Sequence, residues 1–234
     1  MSDDDRRQVC AAYYAMIELI DDQVGRILDA LEESGQADNT LVIFMSDHGE
    51  MLGDHGLVSK MGFYDQAFHI PLIVRYLALD GPTGVVVDQF TENIDVMPTL
   101  LDLAGLPVPG QCQGASVRPF LEGQIASASW RQAVHWEFDF RVFAHTVGLP
   151  LADCHLAVHR DQAGKLVHFA GMPDLYFDLE YDPDEQHPLI DHPAMAGYQS
   201  ALAEWRPPFD DGPLVNLLAT PKGMITLRDP ELVG

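Results

Sequence analysis

A long helical repeat followed by a short, wholly apolar run constrains the first part of this chain most strongly. From Arg6 to Ser34 apolar side chains recur at steps of three and four, which predicts one amphipathic helix. Gly35 predicts the end of that helix, because glycine readily adopts the left-handed conformation of a C-cap. The run Leu41–Met45 is entirely apolar, and such a run is typical of a strand buried on both faces in a parallel sheet.

The polar residues that follow this strand occupy a position where ligands often bind. Ser46, Asp47, His48 and Gly49 come directly after the predicted strand. In open α/β sheets, ligands bind at the carboxyl ends of the strands. A second buried strand is predicted at 70–74, so the polar loop at 50–66 must fold back over the strand ends.

Later segments predict a smaller antiparallel region after the α/β part. Asp95 is a plausible N-cap for a helix that runs through Ala104. From Arg131 onward the chain alternates between apolar and polar residues in short segments, at 132–138, 155–160, 165–170 and 175–179. A helix is predicted at 194–205. The expected organisation is therefore an α/β domain at 1–125, a small antiparallel sheet with a helix at 126–206, and a C-terminal arm at 207–234.

Charge narrows the range of partners. The 234 residues include 13 Lys and Arg against 36 Asp and Glu, a formal net charge of −23. Nucleic acid and anionic membrane surfaces are therefore not expected as partners, because both are bound mainly through basic side chains. An anionic ligand would need a local metal ion or a lysine to attract it.

The cysteines and the first residues of the chain bear on the cellular compartment in which the protein is expected. The three cysteines never form a Cys-x-x-Cys pair, so reduced thiols are expected rather than disulfides or a zinc ribbon. The first residues lack the basic-then-apolar order of a signal peptide, which favours a cytoplasmic location.

Asp47 and His48 are the candidate ligands of a divalent metal ion. They follow an apolar strand, and burying a carboxylate beside an imidazole is costly unless a cation or hydrogen bonds compensate. A carboxylate and a neutral imidazole suit several divalent ions, so manganese, calcium, magnesium and zinc are not distinguished. Gly49 lets the chain leave the extended conformation, so that both neighbours can reach one ion.

Two further loop residues are candidates for the same site. Lys60 is the only lysine among the first 164 residues, and it lies in the loop that should return over the strand end. It is either a catalytic and substrate-binding cation that neutralises charge on an ester oxygen or a solvated surface lysine. His55 lies in the glycine-rich part of the loop and either supports the metal ligands or contributes only polarity to the loop.

Histidines are also frequent in the second region, at positions 135, 145, 155, 159 and 168. In the predicted strand at 132–138, His135 shares its face with Glu137, opposite Val134, Trp136 and Phe138. That alternation predicts that His135 faces solvent, and no metal site is expected there.

Three stretches carry a resemblance to a known family. They are residues 13–74, which contain the Ser-Asp-His-Gly motif, the later Pro-Thr-Leu-Leu-Asp-Leu-Ala-Gly-Leu-Pro-Val-Pro, and Leu-Tyr-Phe-Asp-Leu-Glu-Tyr-Asp-Pro-Asp-Glu-Gln-His-Pro-Leu. The chain resembles the sulfatase and phosphonate monoester hydrolase family of the alkaline phosphatase superfamily over roughly residues 8–192. The resemblance implies the C-terminal portion of an alkaline-phosphatase-like α/β sandwich. It also implies that Asp47 and His48 are metal ligands and that Lys60 contacts the sulfate or phosphonate oxygens.

The family's nucleophile has no counterpart in this sequence. Members of the family carry Cys-x-Pro-x-Arg or Ser-x-Pro-x-Arg, whose first residue becomes formylglycine. None of Cys10, Cys112 and Cys154 begins such a segment. The sequence therefore resembles the C-terminal half of an enzyme whose nucleophile lies elsewhere.

Two functions remain open at this point. The chain either belongs to a metal-dependent hydrolase of small anionic sulfate, phosphonate or phosphate esters, or is a non-catalytic remnant or interaction module that keeps half of a metal site. Loss of neighbouring strands would expose apolar surface, so a homo-oligomer or a missing N-terminal half is the expected partner.

Overall fold

The computed structural model describes residues 2–60, 62–124 and 129–205, together with the backbone of 217–220 and 223–226. The chain divides into two compact units, which are described separately here. Unit 1 comprises residues 1–134, 161–163 and 179–187, and unit 2 comprises 135–160, 164–178 and 188–234. Unit 1 thus extends beyond position 125 and takes in two later segments of the chain.

Unit 1 is built on a long N-terminal helix and a pair of short strands. Its helices are α1 (Asp3–Glu33), α2 (Asp65–Phe68), α3 (Val96–Leu103) and α4 (Arg118–Leu121), and its strands are β1 (Val42–Met45) and β2 (Leu72–Arg75). The predicted long helix is confirmed. The Ser2 hydroxyl accepts the Asp5 N–H at 3.2 Å at its start, and Gly35 follows its end at φ 69°.

The direction of strand pairing differs from the prediction. β1 and β2 are antiparallel, with Val42 opposite Arg75 and Met45 opposite Leu72. Parallel strands need a long crossover connection, usually a helix, whereas the chain between these strands has only short helical turns. Nor is β1 buried on both faces, because Phe44 keeps 41% of its surface exposed, and Ile73 in β2 keeps 61%.

Asp95 stabilises unit 1 in another way than by capping α3. It lies directly before α3, but its carboxylate accepts no hydrogen bond from the first turn of that helix. Instead it accepts the backbone N–H groups of Glu92 and Ala115, both at 2.8 Å, and the guanidinium of Arg131. The predicted cap is therefore wrong, because distant donors satisfy this fully buried carboxylate.

Unit 2 contains the predicted antiparallel sheet and helix. The strands are β3 (Ala133–Asp139), β4 (His155–Asp161), β5 (Gly164–Phe169) and β6 (Leu175–Asp178), hydrogen-bonded in that order, and the helices are α5 (Ala144–Val147) and α6 (Met195–Trp205). Leu166 and Tyr176 of the sheet pack with Met195 and Leu202 of α6 in one buried cluster. The half-covered sheet thereby gains a helical layer on one face.

The predicted solvent-facing position of His135 is wrong. Its ring stacks on Trp205 of α6 at a centroid distance of 4.6 Å, and its Nε2 lies 2.8 Å from Nδ1 of His159, which is buried. Sequence alternation separates the two faces of a strand. It does not say which face a later helix will cover.

The predicted C-terminal arm at 207–234 lies largely outside the described residues. Within it, strands β7 (Leu217–Thr220) and β8 (Gly223–Thr226) pair antiparallel. None of the helices in the described part of the chain has the length and apolar character needed to cross a lipid bilayer.

Candidate metal and anion site

Asp47 and His48 lie together in the turn that follows β1. Asp47 Oδ2 is 3.7 Å from His48 Nε2, while Asp47 Oδ1 accepts the His48 backbone N–H at 3.0 Å. Metal ions bind carboxylate oxygen and imidazole nitrogen at about 2.0–2.2 Å, so a gap of this size can be bridged by one ion. The pair predicted from sequence is thus arranged as two neighbouring ligands could be.

The other ring nitrogen of His48 has a backbone partner. Nδ1 lies 2.7 Å from the carbonyl oxygen of Gly49. Because a carbonyl oxygen can only accept, this hydrogen bond places a ring proton on Nδ1. In the neutral ring the lone pair is then on Nε2, the nitrogen that lies 3.7 Å from Asp47 Oδ2. Histidine ligands of metals usually donate their second N–H in this way.

Asp47 differs from the expectation in its burial. Its side chain is 84% exposed, and that of His48 is 34% exposed. The desolvation cost assumed from the apolar strand is therefore not present, because β1 belongs to a two-stranded sheet whose end is open to solvent among the described residues. The case for a metal site rests instead on the relative position of the two donors.

Gly49 brings the turn against α2. Its N–H donates to the Ala67 carbonyl at 2.8 Å. A Cβ at this position would overlap the carbonyl oxygen of Gln66 and lie 3.1 Å from its carbonyl carbon. Glycine is therefore required by close approach of two backbone segments, whereas the sequence had indicated only a change of chain direction.

The loop after Gly49 is closed by backbone contacts. Glu50 accepts the Ser59 N–H through its carboxylate, and the Met51 N–H donates to the Ser59 carbonyl at 3.1 Å. Leu52, His55 and Ser59 all have positive φ, at 48°, 51° and 64°. Backbone strain of this kind persists only where surrounding contacts enforce it, and it is concentrated at functional sites.

α1 holds the same loop from a second side. The Arg6 guanidinium pairs with Asp54 at 2.7 Å and donates to the Leu52 carbonyl at 3.3 Å. Cys10 also contacts the Leu52 carbonyl, with its sulfur at 3.8 Å. The polar loop is therefore tied to the long helix as well as to the strand end.

Lys60 and His55 occupy different places in this loop. Lys60 directly follows Ser59 in an exposed turn, and it forms no ion pair or hydrogen bond with the described part of the chain. His55 stacks on the Tyr64 ring at a centroid distance of 3.7 Å, and burial raises the pKa of Tyr64. The roles suggested for Lys60 and His55 stay predictions.

Glu185 is a buried residue that the sequence analysis did not select. Its Oε2 accepts the backbone N–H of Asp65, the first residue of α2, at 3.1 Å across 120 positions of sequence. It lies within the stretch that carried the family resemblance, but a local pattern gives no sign of so distant a partner. α2 in turn supports Gly49.

The donors present fit part of a metal site. Asp47 and His48 supply oxygen and nitrogen in the mixture that several divalent ions accept. Within residues that the structure describes, no group of three or more His, Cys, Asp or Glu side chains is placed to hold a metal ion. The described chain thus offers two ligands where a closed site needs at least four.

Comparisons with known proteins identify the family. The family model named Sulfatase matches residues 1–106. The chain is 42% identical over 230 residues to the multifunctional alkaline phosphatase superfamily protein PehA of Trinickia caryophylli, covering 94% of this chain and 44% of that protein. It is 33% identical over 202 residues to the N-acetylglucosamine-6-O-sulfatase of Bacteroides thetaiotaomicron, covering 85% of this chain and 35% of that enzyme.

A solved structure supports the same assignment. The phosphonate monoester hydrolase of Agrobacterium radiobacter superposes with a TM-score of 0.79 at 41% identity, over 92% of this chain and 44% of that one. The chain belongs to the sulfatase and phosphonate monoester hydrolase family, and its predicted α/β fold of alkaline phosphatase type is confirmed. It spans less than half the length of these relatives.

Proposed function

We propose that this chain supplies part of the metal and anion site of a hydrolase acting on sulfate, phosphonate or phosphate esters. The observation that carries the proposal is the Asp47–His48 pair, with 3.7 Å between Oδ2 and Nε2 and the second ring nitrogen bound to Gly49. The names of the relatives, which include a sulfatase and a phosphonate monoester hydrolase, support the substrate class.

Asp47 and His48 would hold the divalent ion through Oδ2 and Nε2. When bound, such an ion polarises the ester and offsets negative charge on its oxygens. His48 is kept in the correct orientation by the Gly49 carbonyl, so that it presents a lone pair rather than a proton.

Lys60 would bind the anionic end of the substrate. Its backbone follows Ser59, which is paired with Glu50 and Met51, the residues that come directly after the Ser-Asp-His-Gly turn. The ammonium group would offset charge that develops on non-bridging oxygens of the ester. In a chain with a net charge of −23, such a local cation is needed to attract an anion.

Manganese(II) binding tests the metal site without requiring turnover. We expect manganese(II) to broaden the NMR signals of the His48 ring, because paramagnetic broadening detects even weak binding at an incomplete site. Asp47→Ala should lower the affinity at least about tenfold, since it removes one of two ligands. Asp21→Ala, which removes an exposed carboxylate from α1, is the matched control. Equal broadening in both variants would reject Asp47 as a ligand.

A second function is favoured by the missing nucleophile. No cysteine in the sequence begins the Cys-x-Pro-x-Arg segment, so the chain by itself would be a non-catalytic remnant or an interaction module. We expect little or no turnover of aryl sulfate and aryl phosphonate esters by the purified chain with added divalent metals. Turnover that disappears in Asp47→Ala would eliminate this second function. The cytoplasmic location stays a prediction.

Self-association or binding of a missing half is expected from the surface of α1. No residue of this 31-residue helix is buried, and the apolar side chains of Tyr14, Ile17, Ile20 and Ile27 are exposed. Large exposed apolar surfaces mark protein interfaces. We therefore expect concentration-dependent oligomers in sedimentation velocity experiments, and Ile20→Glu should shift them toward monomer.

Gln23→Glu provides the matched control for that experiment. It adds the same negative charge to an exposed polar position on α1, so it should leave the sedimentation profile unchanged. A wild-type chain that sediments as monomer at all concentrations would contradict self-association. Copurification of a second polypeptide would instead favour a separate N-terminal half as the partner.

A further inference from the structure

Glu185 is a buried carboxylate of unit 1 that lies in an unfavourable backbone conformation. It is 2% exposed, and its backbone has a positive φ of 56°. Glutamate rarely adopts this conformation, and its charge is costly to bury. Its Oε2 accepts the Asp65 N–H at 3.1 Å, at the first residue of α2. The carboxylate therefore accepts an N–H of the first helical turn, which has no partner within the helix itself.

The turn around Glu185 is itself firmly held. The Asp182 carboxylate accepts the N–H groups of Gln186 and His187 at 3.0 and 2.8 Å, and the Glu185 N–H donates to the Asp182 carbonyl at 3.0 Å. Burial alone would raise the pKa of Asp182, but these hydrogen bonds outweigh it and lower that pKa. The turn thus fixes the direction of the Glu185 side chain.

α2 connects Glu185 to the candidate metal ligand. The Ala67 carbonyl accepts the Gly49 N–H at 2.8 Å, and the Gln66 carbonyl leaves no room for a Cβ at Gly49. The Gly49 carbonyl then binds His48 Nδ1 at 2.7 Å. Each step is a direct backbone or ring contact, so a shift of α2 must move the acceptor that orients the imidazole.

We propose that Glu185 is a positioning residue for His48, acting through α2 and the Gly49 carbonyl. It keeps the His48 ring proton on Nδ1 and so leaves Nε2 available for a divalent ion. The metal part of this inference rests on the proposed function, whereas the effect on the ring proton depends only on the contacts of this chain.

Two substitutions at Glu185 separate the effect of side-chain length from the effect of charge. Glu185→Gln keeps an oxygen that can accept the Asp65 N–H, so it should behave like wild type. Glu185→Asp keeps the charge and tolerates positive φ better than glutamate, but its shorter side chain cannot span the same distance. Thr99→Val is the control for general destabilisation, because it removes a buried acceptor of the Val117 N–H at 2.9 Å in α3 and leaves α2 intact.

The experiment measures the His48 tautomer from its ring nitrogen chemical shifts in the metal-free full chain, and manganese(II) affinity from line broadening. We expect the Nδ1–H form to predominate in wild type, Glu185→Gln and Thr99→Val. In Glu185→Asp the ring should become a mixture of tautomers, and manganese(II) affinity should fall about tenfold. Faster exchange of the Asp65 amide in Glu185→Asp would verify that the hydrogen bond has been lost.

Each outcome decides a separate point. The positioning role would be overturned if Glu185→Asp speeds exchange of the Asp65 amide but leaves the His48 tautomer unchanged. An equal change in Thr99→Val would also overturn it, since loss of stability alone would then be sufficient. If wild type binds no manganese(II) while the tautomer still responds to Glu185→Asp, the proposed function fails and the positioning role stands.

Discussion

Gly49→Ala is expected to destabilise unit 1 by about 3 kcal/mol and to abolish manganese(II) broadening at His48. A Cβ at Gly49 would overlap the Gln66 carbonyl oxygen, so the turn and α2 must separate. That movement breaks the 2.8 Å hydrogen bond from the Gly49 N–H to the Ala67 carbonyl. It also displaces the Gly49 carbonyl that orients His48. Urea unfolding followed by amide signals of unit 1 measures the first effect, and line broadening measures the second.

Gly25→Ala is the matched control. Gly25 lies inside α1 and has no atom within 4 Å of an added Cβ. The same substitution should there stabilise the helix by about 0.5–1 kcal/mol, because alanine restricts the unfolded chain and favours helix. If Gly49→Ala kept the urea midpoint and the His48 shifts of wild type, the close packing of the turn on α2 would be disproved.

Arg131→Ala should cost about 3–5 kcal/mol, because it leaves a buried carboxylate without its cation. Asp95 is fully buried, and Arg131 Nη2 donates to Asp95 Oδ1 at 2.6 Å. Burial alone would lower the pKa of Arg131, but the hydrogen bond and charge of Asp95 outweigh it and raise that pKa. Urea unfolding and exchange of the Ala115 amide, which donates to the same carboxylate, measure the loss.

Arg118→Ala tests whether burial of the ion pair causes the large loss of stability expected for Arg131→Ala. Arg118 pairs with Asp102 at 3.3 Å and with Glu122 at 2.7 Å, but these side chains remain partly exposed to solvent. Such ion pairs contribute about 0–1 kcal/mol, so this variant should unfold close to the wild-type midpoint. Comparable losses in Arg118→Ala and Arg131→Ala would contradict the special role assigned to the buried pair. Both variants leave the Asp47–His48 turn untouched.

The positions of Asp47 and His48 could be predicted because these two candidate ligands are neighbours in sequence. Asp47 and His48 directly follow an apolar strand, so their position at the strand end could be inferred from local pattern. Glu50 and Glu185 were not selected, since they bind the N–H groups of Ser59 and Asp65, which lie 9 and 120 positions away. A carboxylate in a polar loop looks the same whether it faces solvent or binds a distant backbone N–H.

The local elements of this fold could therefore be predicted from the sequence, whereas the contacts between distant segments could not. The apolar periodicity that predicts α1, and the glycine that predicts its end, involve residues a few positions apart. The alternation that predicts the sheet of unit 2 is equally local, so all three elements could be predicted from the sequence. The antiparallel pairing of β1 with β2 and the cover of α6 over His135 depend on where distant segments pack. So does the contact of Glu185 with α2. Only the folded chain decides such contacts, because burial and hydrogen bonding between remote residues leave no periodic trace in the sequence.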